Sequence, residues 1–484
     1  MKINVGCGRL AMVEVARVCN GTLCTFGEDV NVGAYFNNLC TDSREAEQGS
    51  MFIALSGERV DGHDFIGSAL SLGAECVLCE RIPEYLTDSK YSFCAVVVDD
   101  TVRALGALAK AYDSRSAHQT VAITGSVGKT TTKEFVSAVL SEGFSVHKTE
   151  GNYNSNIGMP LSMLSMKEDS EVSVLEMGMS NFGEIEYLSR TANPDVAIVT
   201  TIGSSHMENL GSREGICQAK MEIVKGLSKD GMLFLNGDEP LLRAYKLDTH
   251  KPIFVGIDTE CDFRAVNIRS MIYHTVFDVE YDGKTLKNIT IPAMGKHNVY
   301  AALFAFSVGV RMGVSTEAIL SGLCNYKPVG MRQNIYNIGD VTVIEDCYNA
   351  SPESMHAAIG VLRDLYRGRG IGRMTALLGD MYELGTSSER FHEEVGKEFA
   401  DNGGDLLFTF GSSADGIANG AVFGGMVNEK IFRNNDIKNP ALSGEMLLHS
   451  LKAGDVLLVK ASRGAALERV LSYLKQNSDR LCRA

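Results

Sequence analysis

Apolar residues in this chain fall into short continuous runs, separated by stretches where they recur every three to four positions. In the first hundred residues the runs 52–55, 76–79 and 95–98 predict buried strands, and 104–112 has the period of a helix. From residue 120 the runs 121–124, 172–176, 196–201, 232–235 and 253–256 have helical patterns between most of them. Near-continuous apolar strands alternating with helices predict a parallel sheet covered on both faces. Between 261 and 292 the period changes to two, with a turn at Tyr281-Asp-Gly-Lys284, which predicts an antiparallel ribbon, and a helix is expected over 298–312. Runs at 342–345, 376–379, 406–410 and 456–460 then alternate with helices again, as in a smaller doubly wound unit.

A chain of 484 residues is too long for one core. The polar stretch 113–119 supplies a first boundary and the onset of the last unit near Tyr326 a second. The expected fold class is therefore α/β with three domains: 1–113, 114–325 and 326–484. Hydrophobic content of 45% and charged content of 22% are those of an ordinary soluble protein. The formal net charge of −14 argues against a broad nucleic-acid or anionic-membrane surface, so no nucleic-acid partner is expected. Any phosphate must be held by local cations and backbone N–H groups.

The first 21 residues place Glu14 and Arg17 inside an apolar run, which predicts a short amphipathic helix and not a signal peptide. No run approaches the roughly 18 apolar residues of a membrane span, and a cytoplasmic location is expected. Twelve scattered cysteines build no metal or disulfide framework and suit a reducing compartment. Cys76 and Cys79 form a CxxC, but inside an apolar run, and are expected to be core residues.

The chemistry begins at Ile123-Thr-Gly-Ser-Val-Gly-Lys-Thr-Thr-Thr132. A strand precedes Gly125, and the pattern is helical from Lys133 to Leu140. Gly125, Ser126, Val127 and Gly128 thus occupy a strand-to-helix turn, where backbone N–H groups and the helix dipole favour phosphate. Lys129 would reach the terminal phosphates, the Thr130 hydroxyl would ligate Mg²⁺, and Thr131 extends the loop. The usual P-loop has a glycine where this chain has Ile123. Glu176 ends the run 172–176 and would point into the crevice beyond the strand ends, beside the phosphates. His206 follows the next strand end. In 212–227, Ile216, Ala219, Ile223, Val224 and Leu227 form one apolar helical stripe with Lys220 in its middle. Such a lysine must snorkel, pair, or be altered, for instance carbamylated by CO₂ into a second metal ligand opposite His206.

TGSVGKTTTK, GNYNSNIGMP (151–160), LEMGMSNFGEI (175–185), TTIGSSHMENLGSREGICQAK (200–220) and MGKHNVYAALFAF (294–306), in that order, resemble the Mur ligase family of peptidoglycan synthesis. TDSR (41–44), MFIALSGE (51–58), DGH (61–63), VIEDCYNASP (343–352), LGDMYELG (378–385) and LVKASRG (458–464) extend the resemblance over the whole chain. It implies an N-terminal domain for a UDP-linked substrate, a central ATP-binding P-loop domain and a C-terminal Rossmann-like domain. It further implies that Lys129 and Thr130 hold ATP and a first Mg²⁺ ligated by Glu176, with His206 and carbamylated Lys220 serving a second. Asn298 would contact adenine, Asp346 the ribose and Arg332 the phosphates. Ser43 and Arg44 would lie near the uridine nucleotide, and Lys460, Ser462 and Arg463 near an incoming dipeptide. Asn152, Asn154, Tyr348 and Asn349 complete the expected substrate contacts, and a monomer is expected. The sequence departs from the family pattern at Ala301, Ser155, 180–183 and Ala461.

The EMGM and LGDMxELG signatures are those of the member that joins D-alanyl-D-alanine to UDP-N-acetylmuramoyl-tripeptide. The implied reaction activates a carboxylate as an acyl phosphate, which an amine then attacks. Because the nucleotide would be shared between the second and third domains, closure around substrates is expected. Sister ligases, including a folylpolyglutamate synthase-like enzyme, remain alternatives. So do a nucleotide-hydrolysing switch, though no Asn-Lys-x-Asp tetrapeptide is present, and a catalytically inert binding module.

Overall fold

The computed structural model describes every residue except 7–9, 28, 29, 31, 34, 58, 88–90 and 482–484, so Glu58 of the 51–58 motif lies outside the described residues. Three large sheets carry the chain, beside a two-stranded pair formed by Leu10–Ala11 and Tyr35–Phe36. The first has six strands in the order Lys2–Asn4, Asn38–Cys40, Ser50–Ile53, Ala74–Cys79, Phe93–Val97 and Thr22–Phe26. Its four middle strands are parallel and both edge strands antiparallel. The N-terminal helix is shorter than expected. A strand takes residues 2–4, and the helix spans only Met12–Val18, where Met12 and Val15 turn inward.

The second sheet has nine strands. Six are parallel, in the order Val146–Lys148, Val172–Glu176, Gln119–Thr124, Val196–Val199, Met232–Asn236 and Pro252–Gly256. The period-two region supplies Phe263–Met271, His274–Tyr281 and Lys284–Ile291, paired antiparallel. This ribbon is not separate: Val255 and Gly256 pair with Phe263 and Arg264, so it extends the parallel sheet. The third sheet runs Asn334–Ile338, Val341–Glu345, Val456–Lys460, Met374–Gly379, Leu406–Phe410 and Ile431–Asn434, parallel except for its first strand.

The inner parallel strands are apolar on both faces because helices cover both, whereas the ribbon strands Phe263–Met271 and Lys284–Ile291 are exposed over much of their length. Helix Thr101–Asp113 starts at Asp100, whose carboxylate accepts from Arg103 N–H, and buries Leu105, Leu108 and Tyr112. That face packs against helix Gly158–Leu164, joining the first and second units in one apolar cluster. On the other side of the central sheet, helix Lys296–Arg311 is apolar almost all round and lies against Lys129–Leu140. A helix buried on most of its surface reads so.

The predicted core thiols are confirmed as such. Cys76 and Cys79 lie on opposite faces of one strand, in different apolar clusters, and burial pushes each thiol up to about 12.

Candidate active site

The strand Gln119–Thr124 sits between Val172–Glu176 and Val196–Val199, so the chain winds outward from it in both directions. Ligands of open α/β sheets bind at such a switch point, beyond the carboxyl ends of the strands. Register brings those ends level, with Glu176 opposite Ile123 and Val199 opposite Thr124. Gly125 to Gly128 turn the chain there into the helix Lys129–Leu140, which starts four residues earlier than its apolar period predicts. Gly128 has φ +86, and a Cβ on Gly125 would stand 1.9 Å from Thr200 Oγ1. Neither position admits a side chain without rearrangement. The loop is held from the side by the 200–201 segment. Ser126 N–H donates to Thr201 O at 2.9 Å, Val127 N–H to Thr201 Oγ1 at 3.1 Å, and Thr200 Oγ1 donates to Val127 O at 2.6 Å.

Lys129 Nζ folds back and donates to Gly125 O at 2.7 Å and Ser126 O at 3.3 Å. Burial lowers its pKa, with Glu176 opposing and Arg332 adding to the shift. Thr130 Oγ1 donates to Glu176 Oε2 at 2.8 Å, and Asn154 Nδ2 donates to Glu176 Oε1 at 2.7 Å. One carboxylate and one hydroxyl are hard oxygen donors. They suit a magnesium ion that takes its remaining ligands from phosphate and water. Among the described residues no three His, Cys, Asp or Glu side chains converge as a self-sufficient metal cage.

His206 adopts φ +64, a conformation that costs a non-glycine residue about 1 kcal/mol. The N–H groups of Asn209 and Leu210 bond its carbonyl, and its Nδ1 lies 2.7 Å from Glu383 Oε2. The imidazole holds the Glu383 carboxyl below the usual range. Lys220 lies on the helix Arg213–Met221, which Ser212 caps by accepting from Gly215 N–H. The helix tightens to a 3-10 turn at Glu222–Lys225 instead of continuing to 227. The stripe is as predicted: Ile216, Ala219 and Ile223 are fully buried and Lys220 is 1% exposed. Burial lowers the Lys220 pKa well below its ordinary value, and the Lys129 charge adds to the effect.

The third unit closes the cleft. Lys460 Nζ donates to Asp346 Oδ2 at 2.7 Å and to Asn349 O at 2.9 Å. The Arg332 guanidinium lies 4.0 Å from the centre of the Tyr348 ring. Across the gap, Asn298 Nδ2 donates to Gln333 Oε1 at 2.6 Å, and Ser204 N–H donates to Glu353 Oε1 at 2.8 Å. The cleft between them has a volume of about 1160 Å³. Ser126 to Thr131, Asn152, Asn154, Glu176, His206, Asn298, Arg332, Asp346, Tyr348, Asn349 and Lys460 all line it. Sites scattered over more than 300 positions of sequence thus converge on one volume.

Others do not line it. Lys220 is 1% exposed and not among the lining residues, though close enough to the loop for the Lys129 charge to act on it, and Ser43 and Arg44 belong to the first unit, where Arg44 pairs with Asp42 at 2.6 Å. Ser462 Oγ accepts from Tyr382 N–H at 3.0 Å, and Arg463 pairs with Glu468 at 2.7 Å. Sequence reasoning did not single out Gln333, Glu353 or Glu383. Glu383 sits inside the quoted LGDMYELG, so that motif was a signal for it; Gln333 carries none beyond its neighbour Arg332.

Comparison with known proteins agrees along the whole chain. Family models described as Mur ligase family, catalytic domain; Mur ligase middle domain; and Mur ligase, glutamate ligase domain match residues 35–113, 123–309 and 331–463. The UDP-N-acetylmuramoyl-tripeptide--D-alanyl-D-alanine ligase of Bacillus subtilis (strain 168) is 40% identical over 467 residues, covering 95% of this chain and 97% of the relative. The enzyme of the same name from Escherichia coli (strain K12) is 30% identical, covering 97% and 99%. A crystal structure of MurF ligase from Thermotoga maritima in complex with ADP superposes with a TM-score of 0.80 at 31% identity, covering 92% of this chain and 98% of that one. With such identity sustained over nearly the full length, the chain belongs to the Mur ligase family.

Proposed function

We propose that this chain joins D-alanyl-D-alanine to UDP-N-acetylmuramoyl-tripeptide, converting ATP to ADP and phosphate, as a cytoplasmic step of peptidoglycan synthesis. The observation that carries the reading is the two-walled cleft, with a phosphate loop on one side and Asp346, Lys460 and Arg332 on the other. The relatives named for this reaction, at 40% and 34% identity, support the choice of substrates over those of sister ligases. The working division at 113/114 and 325/326 belongs to the same proposal. Helix Thr101–Asp113 ends before strand Gln119–Thr124, and helix Thr316–Cys324 before strand Asn334–Ile338.

A carboxylate is a poor electrophile, so it must first be activated. A carboxylate oxygen of the tripeptide attacks the γ-phosphorus of ATP, the bond to the β-phosphate oxygen breaks, and ADP leaves. The dipeptide amine then attacks the acyl carbon, loses a proton, and phosphate departs. Such transfers need positioning and charge neutralisation more than covalent help. The loop N–H groups from Ser126 to Thr130 and the Lys129 ammonium would hold the triphosphate. Asn298 would meet adenine, Asp346 the ribose, and Arg332 the phosphates from the opposite wall. Magnesium, when bound, would neutralise developing phosphate charge, with Thr130 and Glu176 as the first set of ligands and His206 with a Lys220 carbamate as the second. Ser43 and Arg44 would serve the uridine end, Asn152, Asn154, Tyr348 and Asn349 the muramoyl-peptide, and Lys460, Ser462 and Arg463 the dipeptide. No helix of the described residues is long and apolar enough to cross a membrane, which suits soluble substrates. We take the working form to be a monomer.

Carbamylation of Lys220 needs a neutral amine, whose nitrogen attacks CO₂ while a proton goes to solvent. The lowered pKa of Lys220 supports that state.

The test is ADP release with purified UDP-muramoyl-tripeptide across a panel of amine acceptors. Release that depends on D-alanyl-D-alanine and not on single amino acids is expected. Release with the tripeptide nucleotide absent, or with glutamate as the preferred acceptor, overturns the reading.

A further inference from the structure

Gln333 belongs to the third unit but reaches the first turn of the central helix Lys296–Arg311. Its Nε2 donates to Met294 O at 2.9 Å, and its Oε1 accepts from Asn298 Nδ2 at 2.6 Å. The same Asn298 nitrogen donates to Met294 O at 2.7 Å. His297 Nε2 lies 3.1 Å from Gln333 Oε1 and 3.2 Å from Asn298 Nδ2; facing an oxygen that can only accept, it carries the ring hydrogen, donates to Gln333 and is no acceptor for Asn298. A carboxamide nitrogen has two hydrogens, and both of Asn298's are directed at fixed acceptors. One acceptor is a backbone carbonyl, which cannot exchange roles, so the orientation of both amides follows from the network. Asn298 Oδ1 takes no hydrogen bond from a described residue, and Asn298 lines the cleft.

We propose that Gln333 is a specificity-determining positioning residue for the nucleobase: by locking the Asn298 amide it presents a lone-pair acceptor to the cleft and selects a base bearing an exocyclic amino group. This rests on the reading above that the cleft takes ATP with its base beside Asn298. A 6-oxo base would set one lone pair against another. The amide could accommodate it only by turning over, which would aim Oδ1 at both Met294 O and Gln333 Oε1. Leaving such buried polar groups mismatched is what gives a hydrogen-bonding site its discrimination. Because Gln333 comes from the opposite wall, the selection operates only when the two units are together. A purely structural tie would instead affect all nucleotides alike.

Titration calorimetry of the full-length protein with ADP and with inosine diphosphate, which carries the 6-oxo group, tests this. The wild type is expected to prefer ADP by about thirtyfold. Gln333→Met, which removes one of the two acceptors, is expected to reduce that preference about tenfold. Gln333→Glu keeps the acceptor beside Asn298 but gives up the donation to Met294 O, so it is expected to weaken both nucleotides alike while holding their ratio within about threefold of the wild type. Wild-type discrimination below threefold overturns the proposal. So does a Met variant that keeps the wild-type ratio, or weakens both nucleotides equally. Should Gln333→Met fail to fold, the wild-type ratio and the Glu variant decide, and a Glu variant without preference overturns it. Asn298→Ala separates the layers: unchanged ADP affinity there removes the nucleotide placement itself, and this inference with it. Weakened ADP binding combined with an unaltered Met-variant ratio removes only the role of Gln333.

Discussion

Lys129→Ala is expected to slow ADP release in the complete ligation assay by about a thousandfold while leaving the thermal unfolding midpoint nearly unchanged. The ammonium sits where the loop ends and the helix begins, within reach of Gly125 O and Ser126 O, and burial disfavours its charge. In the ligand-free protein it therefore contributes little to stability, since two carbonyl contacts offset a desolvated charge. With a triphosphate present the same ammonium meets the strongest negative charge in the site. Groups that neutralise charge as it develops in a water-poor cleft are worth about 100- to 1000-fold each in rate. The dissociation of rate from stability is the distinguishing result. A variant retaining activity within tenfold of the wild type would remove Lys129 from the chemistry, and one that fails to fold would make it a structural residue.

Lys220→Met is expected to go further, abolishing detectable ligation while raising the unfolding midpoint of the ligand-free protein by a few degrees. Methionine fills a similar volume without a charge to desolvate, and replacing a buried ionisable group by an apolar one is commonly stabilising. The pH dependence follows from the direction of the shift. The folded-state pKa of Lys220 lies well below its ordinary value of 10.5. The unfolded chain therefore binds a proton that the folded chain does not, and protonation pulls toward unfolding at neutral pH. Stability rises with pH as the unfolded lysine loses that proton. The advantage of Lys220→Met, measured in bicarbonate-free buffer, should accordingly be largest near neutrality and shrink as the pH approaches 10.5. Added bicarbonate should stimulate a CO₂-depleted wild type and leave the inactive variant inactive. Full activity in Lys220→Met would rule out a carbamate at this position.

Both residues were visible before the fold, for different reasons. Lys129 stands in a contiguous loop signature, and Lys220 interrupts an apolar stripe whose period is a local property of the chain. Strands whose faces are both buried were equally legible: Val172–Glu176, Leu406–Phe410 and Val456–Lys460 end where their apolar runs end. Two edge strands of the parallel ladders were not. Val146–Lys148 and Ile431–Asn434 are short and mixed in polarity, because an edge is covered on one side only and needs no continuous run. The start of helix Lys129–Leu140 was missed by four residues since its first turn is set by the left-handed Gly128 and not by apolar spacing. Pairings across the cleft were beyond reach in principle. That Glu383 meets His206, or that Gln333 orders Asn298, depends on how two sheets are placed, and no local pattern encodes it.

The central claim is that the carboxylate is activated by direct phosphoryl transfer in the cleft between the central and third units. Isotope transfer tests it most directly. The acceptor tripeptide is prepared with ¹⁸O in its terminal carboxylate, and the products of one complete ligation are analysed by mass spectrometry. An acyl phosphate requires one carboxylate oxygen to leave with phosphorus, so the inorganic phosphate should carry one ¹⁸O per amide bond formed. Unlabelled phosphate, or label recovered in AMP, would contradict the account.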